Sequence, residues 1–233
     1  MSSSSTLPSE VTPTETPLAD LDAKAQADHA SSIVGRDVRE AEVQGLLYLA
    51  EFGKDWTARM WAIFALGRAK PFASLVLPKL VALLQQRPID PERLIGTLSE
   101  TIGKLPGAVE HLQLLIDTYR DTTLWTETRS IAGVAITHVL ADPETNAPIE
   151  IGIRFAEGVR SAEESCSCAI LRKLIEEHVH DAIVVAAAKV FNSHPPAHFR
   201  AARSVLEKAA ANRYTESIAT SAKAALAHLD SVA

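Results

Sequence analysis

Cysteine, aromatic residues and long apolar runs are all scarce in this sequence. Its 233 residues include two cysteines, Cys166 and Cys168, which lie too close together in the chain for a disulfide between them to cross-link distant segments. Nothing therefore suggests a disulfide framework or an oxidising compartment. No stretch contains the roughly 18 apolar residues that a membrane-spanning helix needs. These absences predict a soluble, cytoplasmic protein without a membrane partner.

Aromatic residues make up only 5% of the chain, whereas hydrophobic residues as a whole make up 47%. The hydrophobic share is large enough for a sizeable core. Ala, Leu and Ile supply most of it, and residues that favour helices outnumber the Val, Thr and aromatic residues that favour sheets. We therefore expect an all-α protein.

The chain carries fewer basic residues than acidic residues. The chain has 23 Lys and Arg residues against 29 Asp and Glu residues, which gives a net charge of −6. A protein whose main task is to neutralise phosphates would carry the opposite sign. We therefore do not expect a nucleic-acid partner.

The first 32 residues are rich in Ser, Thr, Pro and Ala, and their apolar residues are sparse. Burial in such a segment does not repay the entropy of ordering it, so we predict a disordered leader over residues 1–35 and a folded domain over residues 36–233. The segment lacks the basic and apolar regions of a secretory signal and the arginines of a transit peptide. A leader that directs secretion while unfolded and a phosphorylated segment both stay open.

From residue 37 onward, apolar residues recur at helical spacing in segments of about 12 to 18 residues, each closed by a breaker. Taken in pairs, these segments place the start of each second helix near Thr57, Pro91, Trp125, Ala162 and Ala197. The steps between these starts are 34, 34, 37 and 35 residues. Such a period, with two helices per unit, is typical of an α-solenoid. We expect about five helical hairpins followed by a C-terminal capping helix.

One stretch has a conflicting pattern. In PIEIGIRFAEG, apolar residues alternate strictly at Ile149, Ile151, Ile153 and Phe155, which by itself predicts a strand. A lone strand among helices would have no partner for its backbone hydrogen bonds. Because Ile149, Ile153 and Ala156 also fit one helical face, we predict a helix here.

Two stretches of the chain carry a family resemblance. LPKLVALLQQ followed by IDPERLIGTLSETIGKL has a proline in its first helix, an Asp in the turn and an Arg early in its second helix. DWTARMWAIFALGRAK has the matching second half, with Asp55, Arg59 and the triplet from Ala65 to Gly67. These units resemble HEAT repeats, best over residues 37–140 and more loosely beyond. The resemblance implies a right-handed α-α superhelix, and proteins of this kind mostly bind other proteins, sometimes bind nucleic acid and in a few branches are enzymes.

In a stacked array the second helices usually line the concave side, where their polar positions form a continuous strip. The residues predicted to contact a partner there are Trp56, Arg59, Arg93, Glu100, Trp125, Arg129, Lys173 and Arg203. Trp and Arg are enriched where binding energy concentrates. Alternative roles stay open, since Trp56 and Trp125 could belong to the core and the arginines could pair with turn carboxylates such as Asp55 and Asp90. Trp61 is expected in the core.

We expect a non-enzymatic scaffold or adaptor that binds a protein or peptide on its concave face. An inhibitor or immunity-type protein, or an effector, is a second version of this expectation. The alternative from another class is a HEAT-like alkylpurine DNA glycosylase or another nucleic-acid-binding solenoid, which would need an Asp among aromatic residues in a basic groove. No residue here matches that catalytic Asp. Hydrolase and nucleotide-binding motifs are absent from the sequence.

A metal site is the remaining chemical alternative. Thiolates and imidazoles are ligands that zinc prefers, and the chain has a run of them at Cys166, Cys168, His178, His180, Asp181, His194 and His198. Residues i and i+2 of a helix point in nearly opposite directions, so the two cysteines cannot both bind one ion on an intact helix. We therefore expect no metal and no cofactor, although metal binding by the four histidines stays open.

Overall fold

A computed structural model describes residues 17–86, 89, 91–142, 149–159, 164–177, 180–191, 202–211 and 215–231. Over these residues the protein is all-α, with twelve α-helices, two short 3₁₀ helices and no strand. This confirms the all-α class predicted from composition. The described residues also form a single connected apolar core that runs from Ala30 near one end to Leu229 near the other.

The twelve helices follow one another with short connections. They are α1 (Ala23–Val34), α2 (Glu40–Phe52), α3 (Trp56–Leu66), α4 (Ala73–Gln85), α5 (Arg93–Gly103), α6 (Leu112–Arg120), α7 (Thr126–Ala141), α8 (Ile149–Gly158), α9 (Glu164–Glu176), α10 (Asp181–Phe191), α11 (Arg203–Ala210) and α12 (Glu216–Asp230). The 3₁₀ helices Lys70–Phe72 and Ala108–His111 lead into α4 and α6. Helices α2 to α12 correspond to the helices predicted from apolar spacing. The alternating stretch around Ile151 is helix α8, as expected.

Helix α1 corrects the predicted domain boundary. Residues 17–35 were assigned to a disordered leader, but they are ordered and include α1, which packs against α3. Its buried face consists of Gln26, Ala30 and Ile33, and the Asp22 carboxylate caps its N-terminus by accepting a hydrogen bond from the Ala25 N–H at 2.8 Å. The folded part therefore begins before residue 36. Residues 1–16 lie outside the described part of the chain.

The Gln26 side chain attaches this first helix to the rest of the domain. It is 1% exposed, its Nε2 donates to the Leu18 carbonyl at 2.8 Å, and its Oε1 accepts from the Lys54 N–H at 2.9 Å. Both polar ends of the amide thus have hydrogen-bond partners inside the protein, and these bonds offset the free-energy cost of removing the side chain from water. The contact links α1 to the turn between α2 and α3.

The odd-numbered helices pack side by side in chain order. Helix α1 contacts α3, α3 contacts α5, α5 contacts α7, α7 contacts α9, and α9 contacts α11. The even-numbered helices α2, α4 and α6 each pack against the odd-numbered helix that follows them. Helix α3 contacts α1, α2 and α5, which explains why it is apolar on nearly every side. Trp61 of this helix is partly buried against the core.

Small residues allow the odd-numbered helices to approach closely. A Cβ atom on Gly103 of α5 would lie 2.7 Å from the Ala135 carbonyl oxygen of α7, and one on Gly96 would lie 3.1 Å from Ile131 Cδ1. Thr101 of α5 also donates its hydroxyl to the Ile63 carbonyl of α3 at 3.3 Å. The row is therefore held by close backbone packing and by a buried interhelical hydrogen bond.

A search of the described helices for membrane-spanning character finds no single helix that is long and apolar enough. Helix α3 and the segment Lys70–Gln85 pass together by length and composition only, and they are bent by 89° relative to each other.

Candidate functional site

The odd-numbered helices α3, α5 and α7 run in the same direction, so each end of the row forms a separate surface. At the N-terminal ends, the Glu92 carboxylate before α5 accepts a hydrogen bond from the Trp125 N–H before α7 at 2.5 Å. At the C-terminal ends, residues that follow α3, α5 and α7 line common pockets. On α5, the strip residues Arg93 and Glu100 are seven positions apart, which is about 10 Å along the helix axis. The predicted strip therefore divides between the two surfaces.

Two arginines of the predicted strip take part in helix packing at the N-terminal ends. Arg129 Nε donates to the Tyr119 carbonyl at 3.0 Å, and Arg59 Nε donates to the Ala50 carbonyl at 3.2 Å. In both hairpins the arginine early in the second helix reaches the last turn of the first helix, whose carbonyls lack helical partners. The predicted alternative partner Asp55 instead caps α3 by accepting from the Ala58 N–H.

Arg129 is only 9% exposed, and its contact with a partner stays a prediction. Its guanidinium group stabilises the hairpin formed by α6 and α7 and has little surface to offer. Arg59 is half-buried in the equivalent place. The physical reason is general, because a carbonyl at a helix C-terminus is a strong acceptor for a cationic side chain that lies nearby.

The other predicted residues at the N-terminal ends are accessible. Trp56 is 41% exposed and Trp125 is 54% exposed, and each lies at the start of its helix, on α3 and just before α7 respectively. Arg93, the first residue of α5, is exposed. Arg203, the first residue of α11, forms ion pairs with Asp230 of α12 and, at 3.6 Å, with Glu207.

Two adjoining pockets lie along the C-terminal ends of the row. The first has a volume of about 510 Å³ and lies at the ends of α1, α3 and α5. The second has a volume of about 650 Å³ and lies at the ends of α3, α5 and α7. Gly67, Lys70 and Lys104 line both pockets, so the two join into one open depression. We call it the helix-end groove; its other lining residues are Val34, Asp37, Phe64, Arg68, Thr101, Gly103, Pro106, His138 and Asp142.

Charge is arranged in order along the helix-end groove. Lys70 and Lys104 belong to both pockets and therefore lie at its middle, with Arg68 lining the first pocket beside them. Asp37 lines only the first pocket and Asp142 lines only the second. The groove thus has a cationic middle and a carboxylate towards each end, in a chain whose net charge is −6.

The two predicted residues Glu100 and Lys173 lie at this end of the row, on either side of His138. Glu100 pairs with Lys104 on α5 at 2.5 Å, and Lys173 pairs with Glu177 at the end of α9 at 2.9 Å. Half-burial of the His138 imidazole lowers its pKa, and the charges of Lys173 and Lys104 lower it further. His138 lines the second pocket, and its lowered pKa favours the neutral imidazole.

The metal alternative finds no support among the residues that the structure describes, where no group of three His, Cys, Asp or Glu side chains could hold an ion. Cys168 is buried, and this burial raises the pKa of its thiol. His180 Nδ1 accepts a hydrogen bond from the Ala182 N–H at 3.2 Å. His178, His194, His198 and the side chain of Cys166 lie outside the described part.

Sequence analysis missed the residues at the middle of the groove. Arg68, Lys70 and Lys104 follow the ends of α3 and α5, and none of them was included in the predicted strip. A signal was present, since basic residues follow two successive second helices at the same place in the repeat. His138, in the last turn of α7, occupies the corresponding place in the next repeat. This recurrence would have predicted a cationic surface at one end of the row.

Comparison with known proteins gives no assignment. No protein-family model, no curated protein and no solved structure matches this chain.

Proposed function

We propose that this protein is a non-enzymatic scaffold that binds a segment of a protein partner in the helix-end groove. The observation that carries the proposal is the continuity of this groove across the ends of α1, α3, α5 and α7. Its two pockets open to the surface and share three lining residues, so their joint shape suits an extended peptide better than a compact metabolite.

A HEAT-like, right-handed superhelix is the architecture that we propose for the whole domain. Support comes from the period of 34 to 37 residues in the sequence and from the packing of successive odd-numbered helices in chain order. The bond from an arginine of the second helix to the end of the first helix occurs at Arg59 and at Arg129, two repeats further along the chain, and adds a shared structural feature. Repeats stacked in this way form extended binding surfaces.

The proposed binding face differs in part from the predicted strip. Glu100 and Lys173 belong to it through their ion pairs beside His138, whereas Arg59 and Arg129 belong to the hairpin joints. Trp56 and Trp125 lie at the opposite ends of their helices and are proposed as anchors for a separate part of the partner, because large exposed aromatic residues concentrate binding energy.

The charge pattern supports a protein partner over the glycosylase alternative. A DNA-binding enzyme of that kind needs a continuous positive channel with a carboxylate at its floor. Here the cationic middle is bounded by Asp37 and Asp142. Such alternation of sign suits a protein segment, which can present charges of either sign in register.

Affinity capture tests this proposal. The full chain and the variant Lys70→Glu/Lys104→Glu would be used as baits in nuclease-treated extract, with Lys79→Glu/Lys223→Glu as the control for the same change of charge. Lys79 and Lys223 are exposed on α4 and α12, outside the groove. We expect one or a few proteins to be retained by the full chain and the control, and lost from the groove variant. Equal retention by all three baits, or retention of nucleic acid alone from untreated extract, would contradict the proposal.

A further inference from the structure

We infer that the middle of the helix-end groove recognises an acidic group, a carboxylate or a phosphate, on the bound peptide segment. This inference rests on the proposed function and names the chemistry of the partner. The acidic group lies between the side chains of Lys70 and Lys104, with the His138 imidazole at the wall of the second pocket.

The position of the two lysines carries the inference. Lys70 lies in the 3₁₀ helix after α3, and Lys104 lies just after α5, yet both line the same two pockets. Two lysine side chains that line one open space bring like charges towards each other, and an anion bound between them would accept a charge-assisted hydrogen bond from each. Both side chains are exposed, so they reach the anion without first being desolvated in the protein interior.

The present partner of Lys104 is easily exchanged. Its Nζ lies 2.5 Å from Glu100 Oε1, with 41% of the Lys104 side chain and 29% of the Glu100 side chain exposed. Ion pairs four residues apart on an exposed helix surface contribute little to stability. A ligand carboxylate or phosphate can therefore take the place of Glu100, which remains solvated when it is released.

His138 provides a reporter for the same event. In the free protein its pKa is lowered by burial and by Lys173 and Lys104, against the opposing charges of Glu177 and Glu100. Lys70 and Asp142 are the other charged residues lining its pocket. An anion bound between Lys70 and Lys104 favours the imidazolium form, so the pKa of His138 rises when the ligand binds, and the affinity for a carboxylate increases as the pH falls through that pKa.

The two lysines could instead stabilise the ends of the helices that they follow. The test is therefore designed to distinguish this structural role from anion binding. Cations next to a helix C-terminus stabilise its negative end, and Lys70 and Lys104 follow the ends of α3 and α5. In that role alone, the lysines would contribute to stability and would bind no added anion. The two roles differ in a direct binding measurement.

Titration by NMR with small probes makes this measurement on the full chain. The probes are N-acetylglutamate methylamide, which carries a peptide-like carboxylate, its neutral partner N-acetylglutamine methylamide, and inorganic phosphate. We expect the carboxylate or phosphate probe to shift the Lys104 and His138 signals and to raise the pKa of His138. Lys70→Gln/Lys104→Gln should weaken this binding at least about tenfold, and Lys79→Gln/Lys223→Gln should leave it unchanged.

Three results would overturn the inference. One is the absence of any anion-dependent shift at His138 while Lys70→Gln/Lys104→Gln lowers the melting temperature, which leaves the lysines a helix-end role only. The second is equal binding of the neutral amide, and the third is undiminished anion binding in the double variant. None of these results contradicts the proposed function, because a partner segment could still be captured through the apolar lining residues Val34, Phe64 and Pro106.

The captured partner then distinguishes the two sources of the acidic group. Phosphatase treatment of the extract before capture should abolish retention if the group is a phosphate on the partner, and should leave retention intact if it is an Asp or Glu side chain. A single-stranded oligonucleotide of twelve bases serves as the competing macromolecule. Tighter binding of this oligonucleotide than of an acidic peptide of equal charge would contradict the assignment to a protein segment.

Discussion

At the scale of single residues, Arg129 shows that a side chain predicted to contact a partner also takes part in helix packing. It is nearly buried, and its Nε donates to the Tyr119 carbonyl at 3.0 Å. We predict that Arg129→Met lowers the free energy of unfolding by about 1–3 kcal/mol, because a buried acceptor loses a charge-assisted donor. Arg68→Met, at an exposed position after α3, should change it by less than about 0.5 kcal/mol. Urea denaturation of both variants compares them, and equal effects would contradict the structural role.

Gly103 gives the second prediction at this scale. A Cβ atom there would lie 2.7 Å from the Ala135 carbonyl oxygen and 2.9 Å from Ala135 Cβ, and backbone atoms cannot move aside as a flexible side chain can. Gly103→Ala should therefore destabilise the protein by about 1–2 kcal/mol, despite the better helix propensity of Ala. At Gly35 nothing lies within 4 Å, so Gly35→Ala should be neutral or slightly stabilising. Thermal denaturation distinguishes the two variants. An unchanged melting temperature for Gly103→Ala would show that α5 and α7 do not approach each other as closely as the Gly103–Ala135 contact requires.

Glu42 gives a prediction about pH. Its carboxylate accepts hydrogen bonds from Arg36 and Arg39, and these bonds hold its pKa well below the usual range. A group whose pKa is lowered in the folded state stabilises it above the unfolded-state pKa of about 4.3, and this contribution declines as the pH falls below that value.

Glu42→Gln should therefore destabilise the protein at pH 7, and the difference from the unmodified chain should shrink by pH 2.5. Glu40→Gln, an exposed change in the same first turn of α2, is the control. Urea midpoints at the two pH values make the comparison. A difference that stays constant with pH would mean that the ion pairs of Glu42 contribute nothing to folding.

At the scale of helices, apolar spacing predicted α2 to α12 but not α1. The buried face of α1 consists of Gln26, Ala30 and Ile33, so one of its three positions is a polar residue that no hydrophobicity pattern identifies. Gln26 can be buried because the Leu18 carbonyl and the Lys54 N–H satisfy its amide, and these partners become neighbours only after folding. The Asp22 cap was the one local signal available in the sequence.

Truncation tests the role of α1. A chain starting at residue 17 retains every described contact of α1 and should keep its melting temperature within about 2 °C. A chain starting at residue 36 exposes the face of α3 that α1 covers, and should unfold at a clearly lower temperature. Gln26→Ala in the full chain should fall between these limits, with Gln44→Ala, at an exposed position of α2, as its control. Equal melting temperatures for the two truncated chains would show that α1 does not stabilise the folded domain, as expected of a disordered leader.

At the scale of the whole molecule, the sequence period indicated that helices pair and repeat, but it did not indicate which surface the row presents. The predicted strip assumed that polar positions along the second helices share one face. In the structure those positions divide between the two ends of the row, and the two pockets that form the helix-end groove lie at the C-terminal ends of the odd-numbered helices. The groove depends on the relative positions of residues about 35 apart in the chain, such as Gly67 and Gly103, which no local pattern determines.

The side-by-side packing of the odd-numbered helices is the central claim, because the helix-end groove exists only if it holds. A Cβ atom on Gly96 of α5 would lie 3.6 Å from Ile131 Cβ of α7, within the range of a disulfide bond. We predict that Gly96→Cys/Ile131→Cys, made together with Cys166→Ser and Cys168→Ala, forms an intramolecular disulfide on mild oxidation, detected by mass spectrometry after digestion. Each single cysteine should remain a free thiol in the monomer. A double variant that stays reduced, or that links only between molecules, would contradict the packing of α5 on α7 and with it the groove.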